Sequence, residues 1–156
     1  MNRVFFRAEE LPLPSWTSAA EKFVKKVLDK LGRKNCEVSV LFCDNSYIKS
    51  LNAEYLGEDN PTDILSFPQG DLTDRQGQPP EGNLLAGDIV ISLQALGENA
   101  RFFRVCEDEE LRRLLVHGIL HLLGADHATN NPQEPMLLLQ EKILTALADE
   151  RIQENV

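Results

Sequence analysis

Apolar residues along the chain recur in two rhythms, alternate positions and helical three-and-four spacing, and the changes of rhythm divide it into elements. Residues 3–7 are a short apolar-rich run that predicts a first strand. Ala20, Phe23, Val24, Val27, Leu28 and Leu31 then share one helix face, and Ser18 with Glu21 reads as a capping box, so an amphipathic helix is expected up to Gly32. The run 36–43 predicts a strand. Asp44 or Asn45 caps a second helix to about residue 55, with Ile48, Leu51 and Tyr55 on its inner face. Residues 57–61 form a turn, and 62–67 form a strand that Pro68 stops.

Residues 69–83 place Gly70, Gly77, Pro79, Pro80 and Gly82 among polar residues, a loop long enough to suggest a functional role. It is not a domain boundary, because neither flank can bury a core without the other. A fourth strand is expected over 87–92, followed by a helical stretch through Arg101. Residues 107–123 carry the strongest helical pattern, with acids in the first turn and apolar residues nearly all round, as expected of a central buried helix. Gly124 ends it, and Pro135 opens a last helix to about residue 148, periodic at Leu138, Leu139, Ile143 and Leu147. The order of elements predicts an α+β fold, a single domain over residues 1–156 with a small mixed sheet of about four strands packed with helices. The pattern leaves the strand order open.

Composition narrows the class. With 42% hydrophobic and 26% charged residues the chain reads as globular rather than disordered or fibrous. No apolar run reaches the length of a membrane span, and the first residues do not read as a signal peptide. Cys36, Cys43 and Cys106 form no C-x-x-C pair, a pattern that fits reduced thiols in a cytoplasmic protein. A net charge of −9 argues against general charge-driven binding of nucleic acid. Two local basic groups remain: Lys22, Lys25, Lys26, Lys30, Arg33 and Lys34 within residues 22–34, against the one acid Asp29, and Arg101, Arg104, Arg112 and Arg113. Both read first as solvated helix faces.

The chemistry is concentrated in the three histidines, all within the run His117-Gly-Ile-Leu-His121-Leu-Leu-Gly124-Ala-Asp126-His127. His117 and His121, four apart on a helix, lie one above the other on a single face. Gly124 lets the chain turn back, which brings His127 in as a third ligand. Two or three imidazoles so placed can reach one cation at about 2.0–2.1 Å, and three protein ligands leave the open fourth position of a catalytic zinc site. Nitrogen-only ligation favours zinc over calcium or magnesium, although nickel or copper also fits chemically. The spacing is shared with metzincin proteases, where a glutamate follows the first histidine as general base. Here Gly118 stands in that position, which disfavours ordinary protease chemistry. Met136 follows the last histidine where a supporting turn or plain core packing would place it.

The histidine run resembles the H-G-x-L-H-L-x-G-x-D-H signature of the YbeY family, bacterial metal-dependent endoribonucleases of rRNA maturation. Leu51-Asn52 and Tyr55 with Pro61-Thr-Asp-Ile-Leu-Ser-Phe-Pro68 are similar to the family's second block. Gly87-Asp-Ile-Val-Ile-Ser92 is similar to the third, and Met136 with Glu141-Lys-Ile-Leu144 to the tail, so most of residues 50–145 is covered in order. The resemblance implies an α+β domain with a mixed sheet and one zinc on three histidines at the end of the central helix. It further implies cytoplasmic, single-strand-specific cleavage of RNA in small-subunit rRNA 3′ processing and ribosome quality control. The ribosome or its small subunit and assembly proteins would be the partners, and neither DNA nor a membrane would be. One position departs from the pattern: the family's arginine after the tyrosine, suited to gripping phosphate, is Leu56 here. Arg101, Arg104 or Arg113 replaces it only if the fold brings one near.

For hydrolysis of a phosphodiester, Asp88 and Asp63 are the candidate general bases, each able instead to cap a turn. Asp126 is expected to accept the outward N–H of a ligand imidazole, or else to cap its loop. Two other functions stay open: a zinc hydrolase of another substrate, and a non-catalytic ribosome-assembly factor whose zinc staples the loop after Gly124.

Overall fold

The fold was obtained as a computed structural model that describes residues 1–69 and 84–153. The predicted loop over 69–83 therefore lies, beyond Gln69, outside the described residues. Nine elements follow in order: β1 (Arg3–Ala8), α1 (Thr17–Lys30), β2 (Cys36–Cys43), α2 (Asn45–Leu56), β3 (Ile64–Pro68), β4 (Leu84–Ser92), α3 (Leu93–Phe103), α4 (Glu107–Leu122) and α5 (Pro135–Ala146), all among the described residues. The strands form one mixed sheet in the order β1-β2-β4-β3. β1, β2 and β4 run parallel, and β3 pairs antiparallel with β4. An α+β architecture with a four-stranded mixed sheet is thus observed.

Alternation along the strands separates two cores of unequal size. Val4, Val38, Val40, Phe42, Ile89 and Ile91 point to the larger core, which α1, α4 and α5 complete. Leu41, Cys43, Leu65 and Val90 point the other way, to a small core shared with Ile48 of α2. Burial pushes the Cys43 thiol up to about 12, so it packs as a small neutral hydrophobe. Helix α4 lies tightly on the β3–β4 half of the sheet. A Cβ at Gly118 would come within 3.0 Å of the Cδ1 atoms of Ile64 and Ile89, so the missing side chain is what permits the approach.

Four local expectations give way to tertiary contacts. The capping box at Ser18 is not formed: α1 starts at Thr17, and Trp16 is its N-cap without any side-chain cap bond. The Trp16 ring packs edge-on against Phe42 with centroids 5.2 Å apart, an anchor that sets the start of the helix. Asp44 does cap α2, accepting from the Tyr47 amide at 2.9 Å. Tyr55, however, is 62% exposed, because the small core covers only one end of the sheet. Asn52 is buried in its stead and donates to the Asn60 carbonyl at 2.8 Å. On α5, Leu138 and Leu139 face outward, and the inner stripe is Met136, Gln140, Ile143, Leu144 and Leu147. Finally, β4 begins at Leu84, ahead of the expected Gly87.

The start of α4 is held by a buried carboxylate. Oδ1 of Asp108 accepts the amides of Ile152 and Gln153 at 2.8 and 2.7 Å, and Oδ2 accepts Nε of Arg112 at 2.8 Å. This pins the C-terminal segment to the helix that carries the histidines.

Candidate metal centre

His117 and His121 project from the last turns of α4, where four-residue spacing stacks them on one face. The helix stops at Leu123, and Gly124, at φ +97°, takes the left-handed conformation that turns the chain back. His127 arrives three residues later, so the local sequence alone closes the cluster. The ring centroids are 4.6, 5.3 and 5.5 Å apart, and one ring nitrogen from each histidine lies within 4.8 Å of the other two. The three predicted ligands are brought together.

The hydrogen bonds decide which nitrogens face the centre. Nδ1–H of His117 donates to Oε1 of Gln140 at 2.7 Å, that of His121 to the Ala125 carbonyl at 3.1 Å, and that of His127 to the Thr129 carbonyl at 2.8 Å. With each Nδ1 carrying the proton, each Nε2 keeps its lone pair. Nε2 of His117 and Nε2 of His121 stand 3.1 Å apart, near the ~3.3 Å expected for two nitrogens on one tetrahedral zinc. Two lone pairs at that distance repel unless a cation lies between them. Burial first, then the neighbouring His117, holds the His121 imidazole below its ordinary pKa, which favours the neutral, ligand-competent form. The donor set therefore fits a zinc ion, with His117, His121 and His127 as the residues that would hold it.

Gln140 was not singled out by the sequence reading, although a signal existed. It is a lone polar residue on the apolar inner stripe of α5, and a buried amide there needs a partner. Arg113, one turn before His117, forks onto Glu141 through Nε and Nη2 at 3.1 and 3.2 Å and so locks α5 beside the site. Of the two roles expected for Asp126, the loop cap is the one observed. Its Oδ1 accepts the His127 amide at 2.8 Å, so it braces the loop, while the outward imidazole N–H groups go to Gln140 and to two carbonyls. The turn that delivers His127 keeps the Asp126 carboxylate next to its own backbone.

A hollow of about 430 Å³ opens beside His117 and His121, walled by Leu56, Ile64, Ser66 and Pro68 and reached by Asp126. Asp63 and Asp88 do not line it. Asp63 accepts from Asn99 at 3.1 Å and lines a separate hollow with Asn45 and Glu98. Asp88 lines a third hollow on the face of the sheet turned from α4. The strand alternation explains this, since Ile89 points toward Gly118 and its neighbours in β4 point away. Leu56 is 58% exposed at the mouth of the histidine hollow, and none of Arg101, Arg104 or Arg113 lines that hollow.

Comparison with known proteins agrees with this picture. Residues 5–148 match the family described as Endoribonuclease YbeY. The Endoribonuclease YbeY of Treponema denticola is 51% identical over 125 residues, 80% of this chain and 79% of that protein. That of Treponema pallidum is 42% identical over 145 residues, 92% of this chain and 89% of that protein. The solution structure of a Thermotoga maritima protein shares the fold, with a TM-score of 0.61 at 25% identity over 96% of this chain and 91% of that one.

Proposed function

The chain belongs to the YbeY endoribonuclease family, and from that membership we propose that it is a zinc-dependent endoribonuclease specific for single-stranded RNA. Its role is the maturation of the small-subunit rRNA 3′ end and ribosome quality control, in the cytoplasm and in company with the ribosome and its assembly proteins. No helix among the described residues is long and apolar enough to cross a membrane. The observation that carries the reading is the commitment of all three Nδ1–H groups outward, which leaves three Nε2 atoms converging on one point.

Zinc held there would polarise a phosphoryl oxygen and lower the pKa of a water toward about 7. The protein's own part is positional. Gln140 and the carbonyls of Ala125 and Thr129 hold the imidazoles in one tautomer and orientation. Leu56, Ile64 and Pro68 wall the hollow and limit its water. Asp126 is the carboxylate that lines that hollow among the described residues, and with Oδ1 on the His127 amide we assign its Oδ2 the role of taking a proton.

Peptide hydrolysis fits less well. Position 118 packs into Ile64 and Ile89, so a protease-type glutamate there would meet the core. The non-catalytic assembly reading draws its support from Leu56 alone. The deciding experiment offers labelled single-stranded and duplex RNA to the zinc-loaded protein. Cleavage of the single strand only is expected, abolished by EDTA and by His117→Ala. Cleavage that survives His117→Ala overturns the metal mechanism, and equal cleavage of duplex overturns the strand specificity.

A further inference from the structure

We propose that the outer face of the sheet is a base-binding platform for the single-stranded substrate. Phe5 and Phe67 stack bases, Asp88 between them accepts a hydrogen bond from an exocyclic amine, and Arg7 grips the phosphate backbone. The inference rests on the ribonuclease reading and names where its substrate lies.

The strand register builds the platform. Phe5 stands opposite Ser39, Ser39 opposite Asp88, and Asp88 opposite Phe67, so these four form one row across β1, β2, β4 and β3. With strands about 4.8 Å apart the row is about 14 Å long. It faces away from α4, since the intervening Val4, Val38 and Ile89 point into the larger core. The next row, Arg7, Leu41, Val90 and Leu65, is capped by α2 at its last three positions. The first row lies less covered: Phe5 is 53% exposed, and Ser39, Asp88 and Phe67 are half-buried. Tyr55, itself exposed, meets Phe67 edge-to-face at 5.5 Å and adds a third ring.

An exposed ring at one end of a sheet row, with a hydroxyl and a carboxylate between it and a second ring, is poor for burying a protein partner's apolar face. It suits unpaired bases, which offer π-faces to rings and donor edges to a carboxylate. Charge points the same way. A net charge of −9 works against binding RNA by phosphate contacts, so stacking is the contribution that adds affinity here. Arg7, in no ion pair among the described residues, lies on this face at the edge strand. The hollow under α2, about 620 Å³, shares Leu56, Ser66 and Pro68 with the histidine hollow. A strand lying on the rings therefore passes Leu56 to reach the metal centre. Arg7 then supplies from β1 the cation that residue 56 lacks, and Asp88 reads bases rather than moving protons.

The test is fluorescence anisotropy with short 5′-labelled oligo(C) and oligo(U) in EDTA, which separates binding from cleavage. Phe5→Ala, at an exposed site that leaves the core intact, is expected to weaken binding about 5- to 150-fold, as loss of one stacking ring does. Phe5→Tyr should restore it. Oligo(C), which offers an amine, should bind better than oligo(U), and Asp88→Asn should narrow that gap. If the wild type cleaves RNA and Phe5→Ala binds it equally well, the platform is wrong and the ribonuclease reading stands. If the wild type binds no single-stranded RNA, both fall. A dimer seen by light scattering and dissolved by Phe5→Ala would make the face a self-association surface, which also overturns the proposal.

Discussion

At the start of α4 the Asp108 carboxylate, buried to 0% exposure, meets three donors, two amides of the C-terminal segment and the Arg112 guanidinium. At the other end of the same helix, His117 and His121 turn their Nε2 atoms toward each other and toward His127 with no protein donor between them. Both clusters are polar and held against the core, and both are built from residues four apart. The difference lies in where their hydrogen-bonding capacity ends. A polar group whose partners are all within the protein holds the fold together. A set whose outer atoms are satisfied and whose inner atoms are not is shaped for something the chain does not itself supply.

Substitutions at the two ends should therefore separate function from stability. The largest effect is expected for His117→Ala, with loss of bound zinc and a fall in RNA cleavage of at least about 10³-fold, because several kcal/mol of charge stabilisation goes with the metal. Its metal-free melting temperature should stay close to that of the metal-free wild type. Metal analysis beside calorimetry checks both. Asp108→Ala should do the reverse. Breaking a buried pair costs about 3–5 kcal/mol, roughly 6–20 °C in a chain of this size, while the folded fraction keeps one zinc. If Asp108→Ala abolished zinc binding in folded protein, the two ends would be coupled and the division between them wrong.

A smaller effect is expected for Gln140→Ala, which removes the acceptor that orients His117. Zinc affinity measured by competition with a chelator should drop about 10- to 100-fold, whereas Asp126→Ala should change it less. The smallest effect is one of pH on the metal-free protein. The folded pKa of His121 lies below its unfolded value, so the unfolded chain takes up a proton first. The neutral imidazole's contribution is complete above about pH 6.5 and declines as the pH falls below it. Melting curves in EDTA across that range should show the decline, and His121→Ala should flatten it.

Much of this was already legible in the chain, and the reason is locality. Two histidines four apart on a helix, a glycine able to end it and a third histidine three residues later need no distant element to meet, so the histidine cluster could be read before any fold was known. The same holds for β2, for α4 and for the Asp44 cap, each set by neighbours within a turn. Tertiary structure decided whatever depends on partners far apart in sequence. Gln140 reaches His117 across 23 residues because α5 lies against α4, and Asp126 yields that place because its own turn occupies it. The two aspartates proposed as bases fall outside the histidine hollow because strand alternation and sheet order, not spacing, set which face a residue serves. Periodicity shows that a side chain has a face. Which surface that face meets is settled by the free energy of the whole packed molecule, to which no single segment holds the key.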